Sequence, residues 1–345
     1  MRSALWIGLL VGCGSSEIVE RDPDAAARDA SPVDAGAGNC VDAPPELPDG
    51  LGAFEIVAGP FDGVAVVRAG THGVYVADAD GIWRVSGTPC DRALLADGWT
   101  HLVDVDDDGV YWHERGGIHR MAPDGAGREL LYPAGSADDL VAANGAVFVS
   151  SSGLIRIPTD GAPATTLVGP DVALAPYAIT ADATDAYYFV EGDSTLAAPY
   201  RVDPVDGSGA TALSPTGTFD PRAVIAGASD LYWLADNRVW RMPRAGALQP
   251  EVLDWGLSFA SNALLAQDQG ALYYVDNEDT STPAHAMLLR LDKSTWHRDV
   301  LGYFDGGFTG LAVRDDGLYT GIVFADGPTG MTWIVRDRRP SPPGT

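Results

Sequence analysis

From residue 54 onward, apolar and polar positions alternate in short runs, the period-two signal of half-buried strands. The runs recur as a set. An apolar and aromatic strand leads into a turn, then apolar-x-Arg-apolar, then a polar turn often holding Asp-Gly, then a strand rich in Leu and Val. The copies are GVYVADADGIWRV from Gly73, GVYWHERGGIHRM from Gly109, GAVFVSSSGLIRI from Gly145 and DAYYFVEGDSTLAAPYRV from Asp185. DLYWLADNRVWRM from Asp230, GALYYVDNEDTSTPAHAMLLRL from Gly270 and DGLYTGIVFADGPTGMTWIV from Asp316 complete the series. A small apolar strand precedes most copies: LVDVD, AITAD, AVIAG, ALLAQ and GLAVR. The residues Tyr75, Tyr111, Val147, Tyr187, Tyr232, Tyr273 and Tyr319 mark equivalent places, 36 to 46 residues apart.

Four short strands per repeat at this period predict an all-β chain, a seven-bladed β-propeller of four-stranded antiparallel blades. Small residues suit the innermost strands, which crowd the axis. The seventh repeat runs out after its third strand, at MTWIVRDRRP. The segment FEIVAG at 54–59 stands before the first inner strand as RALLADG stands before the second. The N-terminal strand is therefore expected to close blade 7, leaving no open edge. Residues 51–340 then form one domain and 341–345 a disordered tail. The third strands carry Arg84, Arg120, Arg156, Arg201, Arg241 and Arg290, expected to make a repeated structural ion pair or backbone contact. In the seventh repeat Ile334 aligns there and Arg336 follows.

The stretch YWHERGGIHRMAPDG, with Tyr111, Trp112, Ile118, Arg120, Asp124 and Gly125, resembles the YWTD-type propeller repeat of low-density-lipoprotein receptors. LYWLADNRVWRMPRAG, with Tyr232, Trp233, Val239 and Arg241, is a weaker match. NHL-type and streptogramin-lyase-like propellers are comparable in architecture. No repeat keeps Thr-Asp after Tyr-Trp, and seven repeats are counted where that family has six. The resemblance concerns fold and leaves the role open.

Composition changes the picture at the N-terminus. MRSALWIGLLVGC has Arg2, an apolar run too short to span a bilayer, and Cys13 at its end. Leu10-Val11-Gly12-Cys13 resembles the bacterial lipobox, which implies cleavage before Cys13 and a lipid on its sulfur. Residues 1–13 are thus expected to be a lipoprotein signal peptide. Gly14 leans towards anchoring in the outer membrane or at the cell surface. Residues 14–50 are rich in Asp, Ala, Pro, Gly and Ser and poor in large apolar side chains, a composition expected to stay a disordered acidic tether. In an exported compartment Cys40 and Cys90 can form a disulfide that staples the tether to the domain; two separate thiols are the alternative. The chain of 345 residues carries a net charge of −26 and a single lysine, Lys293. That excludes a basic nucleic-acid surface and favours solubility, cations and basic partners. A monomer is expected.

Candidate chemistry is sparse. Asp104, Asp106 and Asp108 lie in VDVDDDGVYW, spaced to wrap calcium or another divalent cation. The same turn reads AANGAVF and VRDDGLYT in other repeats, so a tight hairpin is the competing reading. An EF-hand loop would want Glu where Arg115 stands. No cofactor is otherwise implied. In a propeller the blade-joining loops and the second-to-third-strand loops share one end. That end is expected to bear His101, Asp139, Asp171, Tyr177, Asp220, Arg222, Trp255, Asn262, Glu278 and Asp305. Carboxylates among aromatics suit a protein, peptide or glycan ligand. The six histidines are scattered, and neither G-x-S-x-G nor H-E-x-x-H occurs. A non-catalytic binding propeller is the first expectation. A propeller lyase or hydrolase with a divalent metal near the axis is the second; it requires His101, His285 and two carboxylates to converge.

Overall fold

A computed structural model describes residues 45–63, 66–87, 91–98, 100, 102–169, 176–182, 184–190, 198–214, 221–246, 249–258, 264–277, 285–324 and 331–337. The chain divides into units 1–36 and 37–345; the described residues all belong to the second. After a 3-10 turn at Asp49–Leu51 comes β1 (Phe54–Asp62). The first sheet holds β2 (Val66–Gly70), β3 (Gly73–Ala77), β4 (Gly81–Val85) and β5 (Arg92–Asp97). The second holds β6 (Val103–Val105), β7 (Val110–Glu114), β8 (Gly117–Met121) and β9 (Glu129–Tyr132). The third holds β10 (Asp139–Ala143), β11 (Ala146–Ser150), β12 (Leu154–Pro158) and β13 (Thr165–Val168). The fourth holds β14 (Pro176–Ala181), β15 (Ala186–Val190), β16 (Pro199–Val202) and β17 (Thr211–Ala212). The fifth holds β18 (Ala223–Ala226), β19 (Asp230–Ala235), β20 (Arg238–Pro243) and β21 (Glu251–Trp255). Then follow β22 (Leu265–Gln267), β23 (Ala271–Asn277), β24 (His285–Asp292), β25 (Arg298–Arg314), β26 (Gly317–Phe324) and β27 (Met331–Asp337).

These last strands and β1 make one seven-stranded sheet in the order β1-β27-β26-β25-β24-β23-β22. Its long strand β25 does two jobs. Arg298 to Asp305 pair with β24, and Gly306 to Arg314 pair with β26. The stretch FDGGFTG, which holds Asp305 of the expected loop-rich end, is therefore continuous strand. Every pairing is antiparallel, and each first strand neighbours the first strand of the next sheet. The order is β2, β6, β10, β14, β18, β22, the second half of β25, then β2 again.

Among the described residues six apolar clusters fill the gaps between neighbouring sheets, and a seventh, with Leu288, Phe304 and Ile322, lies between the two halves of the seven-stranded sheet. Between the fourth and fifth, Tyr187 and Phe189 meet Leu231, Trp233 and Met242, all at most 4% exposed. Between β27 and the first sheet, Val57, Ala58 and Phe61 of β1 join Val67, Val74 and Val76. Leu51 and Phe54 pack on the other side with Phe304 and Phe308, and Leu47 packs against them. The packed body thus reaches back into the acidic segment as far as Leu47.

Two repeated devices show why β1 belongs beside β27. Outer strands carry a one-residue bulge, and the extra residue is Leu95, Leu131, Leu167, Leu253 or Leu301. β1 has the same bulge at Val57, between the pairs Ile56–Val335 and Ala58–Ile334. The third-strand arginine also faces an outer-strand acid directly across the ladder: Arg120 with Glu129, Arg241 with Glu251, Arg290 with Asp299. Their ion pairs are formed, at 3.6 Å for Arg241–Glu251 and 3.3 Å for Arg290–Asp299. In the last sheet Arg336 faces and binds Glu55 of β1. Arg336 also lies opposite Tyr319, as Arg120 lies opposite Tyr111. The arginine position in this repeat is thus Arg336; the expected alignment with Ile334 is corrected by two residues, because Ile334 is a fully buried core residue. Arg156 departs by one residue and faces Phe148.

Candidate functional site

The D-x-D-x-D-G stretch lies where β6 turns into β7. Asp106 Oδ1 accepts the backbone N–H of Asp108 (2.9 Å), that of Gly109 (3.0 Å) and the Tyr111 hydroxyl (3.1 Å). The same bond recurs: Tyr187 donates to Asp185 (3.2 Å), Tyr273 to Asp268 (2.7 Å) and Tyr319 to Asp316 (2.8 Å). The turn aspartate is the partner that a buried tyrosine hydroxyl requires. Asp104 is turned away into the ring. Its carboxylate accepts the Ala142 N–H (2.8 Å) and pairs with Arg68 (3.3 Å). The structure does not bring Asp104, Asp106 and Asp108 together on one point. No group of three metal-ligating side chains close enough for an ion occurs among the described residues. Asp106→Ala is expected to cost about 1–3 kcal/mol, the cost of leaving the Tyr111 hydroxyl without its acceptor. Calcium is expected to leave the cost of Asp106→Ala unchanged; calorimetry of both proteins with and without a chelator checks this.

Around the axis, inner strands are tied to one another by side chains. Arg68 of β2 reaches Asp104 of β6, and Asp104 reaches β10. Asp139 opens β10 and accepts the N–H of Leu140 (2.8 Å) and of Ile179 on β14 (2.9 Å). Gln267 of β22 donates to Ala226 of β18 (2.6 Å) and accepts from Lys293 (2.8 Å). Enclosure by protein pushes the Asp139 carboxyl up to about 6, against its two N–H donors and the Arg68 charge; the Asp104 charge adds to the rise. Asp104 is raised for the same first reason and held back by Arg68. Asp104 is paired with Arg68 and Asp139 is held by two backbone N–H groups, so both carboxylates read as ring bracing. A carboxyl whose folded value lies above its unfolded one binds its proton more tightly when folded. Its contribution to stability is complete below about pH 4 and is lost as pH rises through 6, roughly 3 kcal/mol at most. Asp139→Asn is expected to remove that slope from chemical unfolding curves measured between pH 4 and 7.5.

At the opposite end from the β6–β7 turn, the second-to-third-strand turns and the sheet-joining segments meet. Of the residues expected there, Asp139, Arg222, Trp255 and Asp305 are described. His101, Asp171, Asp220, Asn262 and Glu278 lie outside the described residues, as do Cys13, Cys40 and Cys90; Tyr177 is described as backbone of β14 only. Arg222 is exposed at the entrance to β18, where its N–H is donated to Leu234 (2.8 Å). Asp305 meets His285 Nδ1 at 2.5 Å, both half-exposed. This pair sits across β24 and the outer part of β25, on the rim, so His285 does not join Asp104 and Asp139 at the axis.

Trp255, 72% exposed, ends β21 and is the most exposed large apolar side chain described. It lies directly across the ladder from Arg238. The bulge at Leu253 sets this direction. Its neighbour Asp254 is turned the other way, taking the Tyr274 hydroxyl (2.6 Å) and Arg298 (3.2 Å). Asp236 and Asn237 form the β19–β20 turn with φ of 52° and 59°, the left-handed pair that a two-residue hairpin demands. The Asn237 carbonyl accepts the Leu257 N–H (3.1 Å), pinning that turn against the segment leaving β21. Between them lies an open cleft of about 420 Å³ lined by Asp236, Asn237, Arg238, Val252, Trp255 and Gly256. Trp255 was legible in sequence from its place in a joining segment. The Asp236–Arg238 wall was not, because ADN reads as an ordinary turn until the bulge aims Trp255 over it.

Neither a protein-family model nor a curated protein matches the chain in sequence. Solved structures do resemble it. The extracellular domain of a one-component system from B. thetaiotaomicron superposes with a TM-score of 0.60 at 11% identity, over 82% of this chain; the chain spans 40% of that protein's length. Oligogalacturonate lyase from Vibrio parahaemolyticus gives 0.59 at 10% identity, covering 82% of this chain and 91% of the enzyme. The WD40 domain of Neurospora crassa Pan2 gives 0.55 at 10% identity, covering 86% and 98%. At such identities the likeness concerns fold, and the fold is a β-propeller.

Proposed function

We propose that this chain is a surface-anchored, non-catalytic binding protein whose seven-bladed propeller recognises a protein, peptide or glycan at its loop-rich end. The count of seven takes β25 as the outer strand of one blade and the inner strand of the next. Seven apolar clusters, one of them between the two halves of the seven-stranded sheet, and the return of the inner-strand order to β2 support it. The Tyr111-Trp112 repeat supports a YWTD-type relation. Cys13 carries the lipid, the following acidic segment is the tether, and a Cys40–Cys90 disulfide ties it down; export to the outer membrane or cell surface follows from these. Cys13→Ala is expected to move the protein from the membrane fraction to the soluble one.

The observation that carries the binding reading is Trp255. A tryptophan 72% exposed above an open cleft keeps apolar surface in water that a ligand would cover. The enzyme alternative has the His285–Asp305 pair in its favour, but the rim position separates it from the axial carboxylates. The test is a screen of the purified full-length lipoprotein against immobilised proteins, peptides and glycans, repeated with Trp255→Glu. The reading predicts ligands that the substitution abolishes. Ligands indifferent to every change at this end, or conversion of a ligand to product, would contradict it.

A further inference from the structure

We propose that the cleft beside Trp255 is a saccharide site that holds a neutral pyranose unit of a polymeric glycan. The inference rests on the binding reading above and narrows it to one ligand class. Three features of the lining point the same way. Trp255 offers a flat, exposed indole, the surface on which the C–H face of a sugar ring packs. Around it stand a carboxylate, an amide and a guanidinium, from Asp236, Asn237 and Arg238, all exposed. These groups present paired acceptors, mixed donor and acceptor, and paired donors, which match vicinal hydroxyls two at a time. Val252 is the one aliphatic side chain in the lining, so the cleft lacks the apolar pockets that anchor peptide side chains.

The wall is also prepared in advance. Arg238 stacks over Trp240, 5.6 Å from its ring, and Trp240 lies parallel to the buried Trp233 at 6.1 Å. Asn237 is tied to Leu257 through its carbonyl. Little ordering is left to occur on binding, which favours weakly held, polar ligands such as sugars. The choice of a neutral sugar follows from charge. One carboxylate and one guanidinium sum to zero in the lining, and the net charge of −26 repels a polyanion. The cleft is open, which suits one unit within a longer chain.

The test uses the full-length protein in detergent. Its migration is measured in native gels containing a neutral β-glucan, a mannan, a galactan or the polyanion polygalacturonate, and binding is confirmed by tryptophan fluorescence with the corresponding neutral hexaoses. The expected result is retardation by at least one neutral polymer with a blue-shifted emission. Trp255→Ala is expected to weaken that binding at least tenfold, and Arg238→Ala three- to tenfold, with circular dichroism and melting temperature unchanged in both. Trp255→Phe retains part of it. No retardation by any neutral polymer, stronger binding to polygalacturonate, or equal binding by Trp255→Ala each overturns the saccharide assignment. If instead a peptide or protein binds and Trp255→Glu abolishes it, the saccharide assignment falls while the binding reading stands; if nothing at this end binds anything, both fall.

Discussion

A chain that starts at residue 63 is expected to lose its cooperative unfolding transition. Removing β1 takes Leu51, Phe54, Val57 and Phe61 out of two apolar clusters; each is at most 2% exposed. At roughly 1.5–3 kcal/mol for each large apolar side chain, the loss is on the order of 8 kcal/mol, comparable to the whole stability of an ordinary domain. The ladder edge of β27 is also laid bare from Met331 to Asp337, a template for pairing with other chains. The truncated chain is therefore expected to aggregate, and a peptide spanning residues 45–62 to restore part of the soluble fraction. Size-exclusion chromatography with and without the peptide reads both. A milder change localises the effect. Phe61→Ala, in a site 1% exposed, is expected to cost about 3–5 kcal/mol without loss of fold.

The second large effect is expected at Arg244. Its guanidinium bridges the fourth and fifth sheets, donating to the Tyr187 hydroxyl (2.6 Å), Thr184 (2.7 Å) and the Gly227 carbonyl (3.0 Å), with Asp182 at 2.5 Å. The side chain is only 16% exposed. Burial raises the Asp182 carboxyl, but hydrogen bonds from the Thr184 N–H and hydroxyl and the Asp185 N–H, with the Arg244 charge behind them, hold it below the usual carboxylate range. Arg244→Met keeps the stem but takes the cation from Asp182 and leaves Asp185 with Arg201 at 3.7 Å, at a cost of about 2–4 kcal/mol; the lower end reflects the partial exposure of both acids. Asp182→Asn combined with Arg244→Met is expected to cost less than the two single changes added together, because each removes the same interaction. Chemical unfolding of the four proteins measures the coupling.

Much of the fold is written in the repeats themselves. The Tyr of the second strand, the Arg of the third and the Asp of the first turn recur because the Tyr meets both of the others, as Tyr273 donates to Asp268 and lies across the ladder from Arg290. Even the closing strand leaves a trace. Glu55-Ile56-Val57 repeats the acid-apolar-apolar order of Glu129-Leu130-Leu131, Glu251-Val252-Leu253 and Asp299-Val300-Leu301, with Val57 in the place of the leucine. What sequence does not show is which residue bulges, and that decides where neighbouring side chains point. Ile334 and Arg336 both fit an apolar-x-Arg alignment, and only the ladder register separates them. The continuity of β25 is hidden for a related reason: Asp305-Gly306-Gly307 carries turn chemistry yet pairs on both sides as strand.

The site was less legible. Asp104, Asp106 and Asp108 look alike in sequence, but strand alternation and the turn send Asp104 to Ala142 and Arg68 while Asp106 serves Tyr111. Asp139 was expected on the ligand face; it sits at that end of its strand but binds the next inner strand through Ile179. Among the described candidates Trp255 is the large apolar side chain that stands mostly in water. Its partners come from a turn in another hairpin, a juxtaposition no local pattern encodes.

The most direct test of the closed ring is the set of cross-strand nuclear Overhauser effects between residues 54–62 and 331–337 in the deuterated full-length protein. The account predicts backbone contacts between Phe54 and Asp337, Glu55 and Arg336, and Phe61 and Thr332, with a register jump at Val57. Contacts of residues 54–62 with any other strand, or none at all, would contradict it.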